Sequence, residues 1–300
     1  MGDLPAILKI PDKIKERILI MSDPFTVDTM SQSCSYFRDL IHRPADQYVW
    51  RTLFLAKFDD PRSTFSIYGG DPKKYPWSTE LKRRIHSETL LTSQKPFESL
   101  SHENQKLVLQ ILTDVICNSS SPSNLENSQD LVWVAQLINE SDIFKVSGTA
   151  DIMELLAQLH VYYGLTHEEK QMPSARAIRT ASRCFVYDLR NYKEENVWGH
   201  FRLDQAGKVS WVHIDHIINV ITMNLDDVPH LPGWMRPPTG LKAVRLYSAP
   251  AVETSMIDWA GVEGSWYRYV CFMDYRLAFP PLTCFRTFQL PMAIYQRSVW

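Results

Sequence analysis

The chain has 300 residues, of which 45% are hydrophobic and 22% charged, with a formal net charge of −2 and a pI near 6.5. That much apolar material can bury a sizeable core and build more than one domain, which excludes an intrinsically disordered chain. The near-neutral balance gives no general attraction for nucleic acid or for an anionic membrane, so neither is expected as a partner.

The first ten residues, Met1 to Ile10, contain no uninterrupted apolar core and no cleavage site, so no signal peptide is read there. A helix is predicted from Ile10-Pro11. Proline suits the first turn, where its missing N–H has no intrahelical partner, and Asp12 adds negative charge where the helix dipole favours it. Ile14, Ile18, Leu19 and Met21 follow at helical spacing, with Lys13, Lys15, Glu16 and Arg17 filling the other side. Ser22-Asp23-Pro24 stops this helix. A second helix is predicted from about Asp28, with Met30, Cys34, Phe37 and Ile41 on one stripe, ending before Pro44. A third follows Pro44-Ala45-Asp46 and carries Val49, Trp50, Leu53, Phe54 and Lys57.

Three short helices bury little area among themselves and must lean on something else, for which a partner protein is the natural candidate. In the order of its features this segment resembles an F-box, the module that docks on the Skp adaptor of Skp/cullin/F-box ubiquitin ligases. Ile10-Pro11 stands where the family has Leu-Pro, Ile18-Leu19 where it has Ile-Leu, Asp23-Pro24 at the inter-helix turn, and Trp50-x-x-Leu53 in the closing helix. Ser22, Asp28 and Phe37 stand where the family commonly has Leu, another apolar residue and Trp. The resemblance implies an adaptor-facing surface made by Ile10, Pro11, Ile14, Ile18, Leu19 and Val27, with Trp50 and Leu53 locking the third helix.

Further motifs extend the likeness to a group of fungal F-box proteins, as far as about Arg276. They are Phe58-Asp59-Asp60-Pro61-Arg62, Tyr75-Pro76-Trp77, the basic run Lys82-Arg83-Arg84, Phe185 to Tyr192, and Asp258 to Trp266. The basic run reads first as a solvated helix face.

From Pro76 to about Ala181 the pattern is helical: Leu81 and Ile85, then Leu107 to Val115, Leu131 to Ile138, and Ile152 to Leu159. Ser101 and Ser128 are the N-cap candidates, and residues 118–127, rich in Ser, Asn and Pro, read as a surface loop. Beyond residue 183 aromatic and β-branched residues become dense, and a sheet is expected, with Phe185-Val186-Tyr187, Ser265 to Met273 and, more weakly, Leu241 to Leu246 as strands. Trp211 to Leu225 reads instead as a helix. It is interrupted by His213, Asp215, His216 and Asn219 and so is not a membrane span. The fold expected is therefore α+β: an N-terminal F-box over 1–60, a helical region over 61–182, and a β-rich domain over 183–300. The segment from Leu277, with Pro280-Pro281 and Pro291, departs from the way the family continues, so a shortened last domain is left open.

His213, Asp215 and His216 lack the H-E-x-x-H spacing and a third ligand, so no metal site is read. No G-x-S-x-G elbow, Walker loop or G-x-G-x-x-G follows a strand, so no catalytic residues and no cofactor are expected. Cys34, Cys117, Cys184, Cys271 and Cys284 form no C-x-x-C pair and read as buried free thiols. In Asp258 to Gly264 the two glycines suit a tight turn, but Trp259, Glu263 and Trp266 could also line a client or ligand surface. Two function classes stay open. The first is a non-catalytic, cytoplasmic or nuclear substrate receptor that docks on the Skp adaptor, and through it a cullin ligase, while presenting an unknown protein client. The second is a small-ligand-binding or hydrolytic β-rich domain, with Glu263, Tyr187 or Arg190 converging on a pocket.

Overall fold

The computed structural model describes residues 6–44, 46–62, 64, 71–93, 95–119, 128–164, 175–203, 207–226, 233, 236 and 238–248. Two compact units emerge, one over Met1–Val146 and one over Ser147–Leu246.

In the first unit, four short helices replace the three expected. They are α1 (Asp12–Ile20), α2 (Pro24–Ser33), α3 (Ser35–His42) and α4 (Tyr48–Leu55). Helix α2 starts four residues earlier than predicted. Asp23 caps it by accepting the Thr26 N–H at 2.9 Å, and Pro24 occupies the first turn. Extended backbone at Cys34 then splits the predicted second helix in two. The small core of these helices is Leu19, Val27, Phe37, Ile41, Val49, Trp50, Leu53 and Phe54.

That core does not close on itself. Helix α4 packs on α5 (Trp77–Thr92), which packs on α6 (His102–Asn118) and α7 (Gln129–Glu140). The Phe54 ring lies 5.4 Å from Trp77 and 5.2 Å from Phe58, and Phe58 meets Trp133 edge-on at 5.3 Å. Aromatic packing therefore runs unbroken from the N-terminal helices into the helical region. Ser101 and Ser128 cap α6 and α7, accepting the Asn104 and Leu131 N–H groups at 3.3 Å each.

A polar contact is buried inside this aromatic junction. Arg84, only 3% exposed, lies 4.8 Å from the Phe54 ring centroid and 4.6 Å from that of Phe58. Its Nη1 donates to Asp130 Oδ1 at 2.7 Å and its Nε to Glu80 Oε1 at 3.2 Å. The expectation of a solvated basic face is corrected at Arg84, which is internal; Lys82 is exposed and pairs with Asp28, and the half-buried Arg83 pairs with Glu80 and Asp114. Asp59 completes the arrangement. Its carboxylate accepts from the Ser128 hydroxyl and from the N–H groups of Gln129 (3.1 Å) and Asp130 (3.3 Å), while its own N–H donates to Asp130 Oδ1 at 3.3 Å.

The second unit contains α8 (Ala150–Tyr163), α9 (Ala175–Tyr187), α10 (Trp211–Asp226) and the short α11 (Leu241–Val244). Helix α10 packs on α8 and α9, and α11 packs on α8. Gly164 ends α8 with φ +74°, and a Cβ there would meet Pro238 O at 3.1 Å as well as forcing the left-handed region. The α10 helix predicted from the sequence is present, and Glu154 of α8 caps it by accepting the Trp211 N–H at 2.6 Å.

The β-rich C-terminal region is overturned. The described residues hold no sheet, only one isolated antiparallel bridge between Phe201 and Val209. Phe185-Val186-Tyr187 forms the last turn of α9, and Leu241 to Leu246 lies in α11 and a following 3-10 turn. Tertiary packing outweighs β propensity in α9, because Phe185 stacks on the His216 ring at 4.4 Å and Ser182, three residues before it, lies buried against the same imidazole. The proposed strand Ser265 to Met273 and the loop residues 120–127 lie outside the described residues. Cys34 and Cys184 are exposed rather than buried, and Cys271 and Cys284 also lie outside.

Burial pushes the Asp130 carboxyl up to about 6 against the opposing pull of Arg84. A carboxyl whose folded-state pKa is raised contributes stability that is full at low pH and lost as pH rises through that value. The stability advantage of the wild type over Asp130→Asn, followed by urea unfolding, is therefore expected to shrink between pH 4 and pH 6. A difference that stays flat across this window would contradict the assignment.

Candidate functional site

The sequence expectation placed Ile14, Ile18 and Leu19 on one apolar, adaptor-facing side of α1, with Lys13, Lys15, Glu16 and Arg17 opposite. The structure divides that face and draws one lysine of the other side inward, while Lys13 and Arg17 stay exposed. Leu19 and Lys15 are the residues the helix buries, at 1% and 3% exposure. The Lys15 ammonium reaches inward to the Tyr36 hydroxyl of α3 and to Asp12 at 3.2 Å, and Tyr36 also bonds Asp12. Outward face Ile14, Ile18 and Met21, spaced i, i+4 and i+7, at 51%, 44% and 83% exposure. Directly after the turn, Phe25 stands 79% exposed beside the Pro24 start of α2.

The eight residues assigned to the adaptor surface divide accordingly. Pro11, Ile14 and Ile18 are exposed and Ile10 is half-buried. Leu19, Val27, Trp50 and Leu53 are buried and serve the core that holds α1 in place. Trp50 is fully enclosed, with the Lys82 ammonium 5.0 Å from its ring centroid and the His42 ring beside it. Phe25 was missed. The available signal was its position two residues before Val27, since a helix that buries Val27 and Ser31 turns Phe25 away from the core. Ile7 in the preceding 3-10 turn is likewise partly exposed.

The open groove beside this face, about 510 Å³, is lined by Asp12, Tyr36, Asp39, Leu40, Arg43 and Pro44. It has no enclosed apolar floor of the kind that seats a small ligand.

In the second unit the polar residues of α10 turn to separate partners. His160 Nδ1 lies 2.6 Å from Asp215, Ser182 Oγ lies 3.0 Å from His216 Nδ1, and Tyr192 Oη lies 3.1 Å from His213 Nε2. Because Tyr192 donates its proton to Val186 O at 2.7 Å, it can only accept from His213, which fixes the His213 proton on Nε2. Among the described residues no group of three His, Cys, Asp or Glu side chains is placed to hold a metal ion. Nor, among them, is any helix long and apolar enough to cross a membrane.

Arg190, a candidate for the ligand-binding alternative, is committed to a bidentate pair with Asp188. Trp259, Glu263 and Trp266 lie outside the described residues. A second group of exposed apolar residues occupies the turns after α9: Leu189, Val197, Trp198 and Leu203, with Val197 and Trp198 both in the left-handed region.

No family model, curated protein or solved structure matches the chain.

Burial lowers the pKa of both His213 and His216, so the folded unit favours neutral imidazoles. Groups depressed in this way contribute stability above their unfolded pKa of about 6.5 that is lost as pH falls through the folded value. The acid limb of the second unit's unfolding, read from hydrogen exchange in α9 and α10, is expected to flatten in a His213→Gln/His216→Gln variant. An acid limb identical to that of the wild type would assign the lability to other groups.

Proposed function

We propose that the protein is a non-catalytic substrate receptor. The outward face of α1 and the start of α2 dock on the Skp adaptor of a Skp/cullin/F-box ubiquitin ligase, and the remainder of the chain presents a protein client. The observation that carries this reading is the exposed apolar stripe of α1 and the start of α2. Burying a lysine while leaving two isoleucines, a methionine and a phenylalanine in water runs against the hydrophobic effect, since each large apolar side chain contributes about 1.5–3 kcal/mol when buried. A contiguous apolar stripe on an otherwise mixed surface is suited to a protein partner. The order Ile10-Pro11, Ile18-Leu19, Asp23-Pro24 and Trp50-x-x-Leu53 supports the choice of partner.

In this role the chain contributes binding and position, and ubiquitin transfer resides in the other subunits. It works in the cytoplasm or nucleus, where such ligases assemble. Pro11, Ile14, Ile18, Met21 and Phe25 make the contact, while Leu19, Val27, Trp50 and Leu53 hold the helices that present it.

The test is titration of the full-length chain with the Skp adaptor of its source organism. Ile14→Asp/Ile18→Asp, which places two charges on an already solvated face, is expected to lower affinity at least a hundredfold with an unchanged circular dichroism spectrum. Undiminished binding by this variant, or no binding by the folded wild type, would overturn the assignment.

A further inference from the structure

The docking face is presented by helices whose core is open toward α5, α6 and α7. Helix α1 packs on α3 and α4, and α4 packs on α5. The chain leaving α4 runs through Phe58 into Asp59, whose carboxylate takes the Ser128 hydroxyl and the first two N–H groups of α7. Asp130 returns the contact by accepting the Asp59 N–H, and also holds Arg84 between the rings of Phe54 and Phe58. One buried clamp thus fixes the C-terminal end of α4, the middle of α5 and the N-terminus of α7.

We propose that the Asp59–Asp130–Arg84 clamp is a conformational relay that keeps α1 and α4 in register, so that releasing it weakens adaptor docking at a face built from other residues. This inference rests on the docking reading above. Its physical basis is the asymmetry of a buried ion pair. With both partners present their charges compensate, whereas removal of Arg84 leaves the Asp130 carboxyl without its cation in an apolar, aromatic site, where it must take up a proton or reach water. Reaching water requires the α7 N-terminus to part from Phe58 and Asp59, which removes the support under Phe54 and hence under α4. Arg84, Asp130 and Asp59 are positioning residues in this scheme. Their effect on the adaptor passes entirely through Phe54, Trp50 and Leu19.

Discriminating a relay from general destabilisation needs a variant that restores charge balance without restoring the contact. In the full-length chain, Arg84→Met is expected to lower adaptor affinity at least tenfold and to speed hydrogen exchange at the Ile18 to Met21 amides. Arg84→Met/Asp130→Asn, which leaves no stranded charge and keeps an acceptor for the Asp59 N–H, is expected to recover both readouts to within about threefold of wild type. Should Arg84→Met fail to fold, Asp59→Ala, which removes the carboxylate that takes the Ser128 hydroxyl and the first two N–H groups of α7 while leaving Arg84 and Asp130 paired, is expected to move both readouts in the same direction by a smaller factor.

Wild-type affinity and wild-type α1 exchange in Arg84→Met, or in Asp59→Ala where the former does not fold, would overturn the relay. So would a double variant as impaired as Arg84→Met. If the wild-type chain binds no adaptor, the docking reading fails, and the exchange of α1 still decides whether the clamp governs that helix.

Discussion

The first unit depends on a guanidinium buried among aromatic rings. Arg84 is planar, permanently charged and weakly hydrated, properties that let it sit against Phe54 and Phe58 while donating to two carboxylates. Around it converge the end of α4, the centre of α5 and the N-terminus of α7. Without such a focus the four N-terminal helices would rest on a core of eight apolar side chains, too little for independent stability. With it they are one end of a larger helical body, and the continuity of packing past residue 60 follows from the same residues.

That shared core explains how α1 can keep Ile14, Ile18 and Met21 outward. A helix anchored by Leu19 and by Lys15, whose ammonium meets the half-buried Tyr36 hydroxyl and the exposed Asp12, is weakly held by its own contacts. Its position depends on α3 and α4, on which it packs. The outward stripe of Ile14, Ile18 and Met21 stays in solvent, and in the proposed docking role the relay is the energetic counterpart of a division between holding and presenting.

Much of the helical framework was legible because 3.6-residue periodicity and capping chemistry are local. Ser101, Ser128 and the Trp211–Asp226 helix appear where the pattern places them. Periodicity reports that a face is apolar and is silent on what the face meets. Hence α1 could be recognised as amphipathic while Leu19 was placed on the outward face and Lys15 away from the core, and Lys82-Arg83-Arg84 could be recognised as helical while Arg84 was placed in solvent. The strand assigned to Phe185-Val186-Tyr187 failed for a related reason. Aromatic and β-branched residues suit any half-buried surface, and here the surface is offered by the histidines of α10, some thirty residues away in sequence. Phe25 escaped notice because its meaning depends on the register of α2, which Asp23 and Pro24 set four residues earlier than the apolar pattern alone indicates.

The outward stripe of α1 has a consequence for the lifetime of the chain. Solvent-exposed isoleucine, methionine and phenylalanine in close succession are also what chaperones and proteolytic quality control read as a sign of misfolding. Under the proposed docking role, a copy without its partner carries that sign while fully folded and a copy in complex conceals it, so that the abundance of the protein would follow the supply of whatever covers α1.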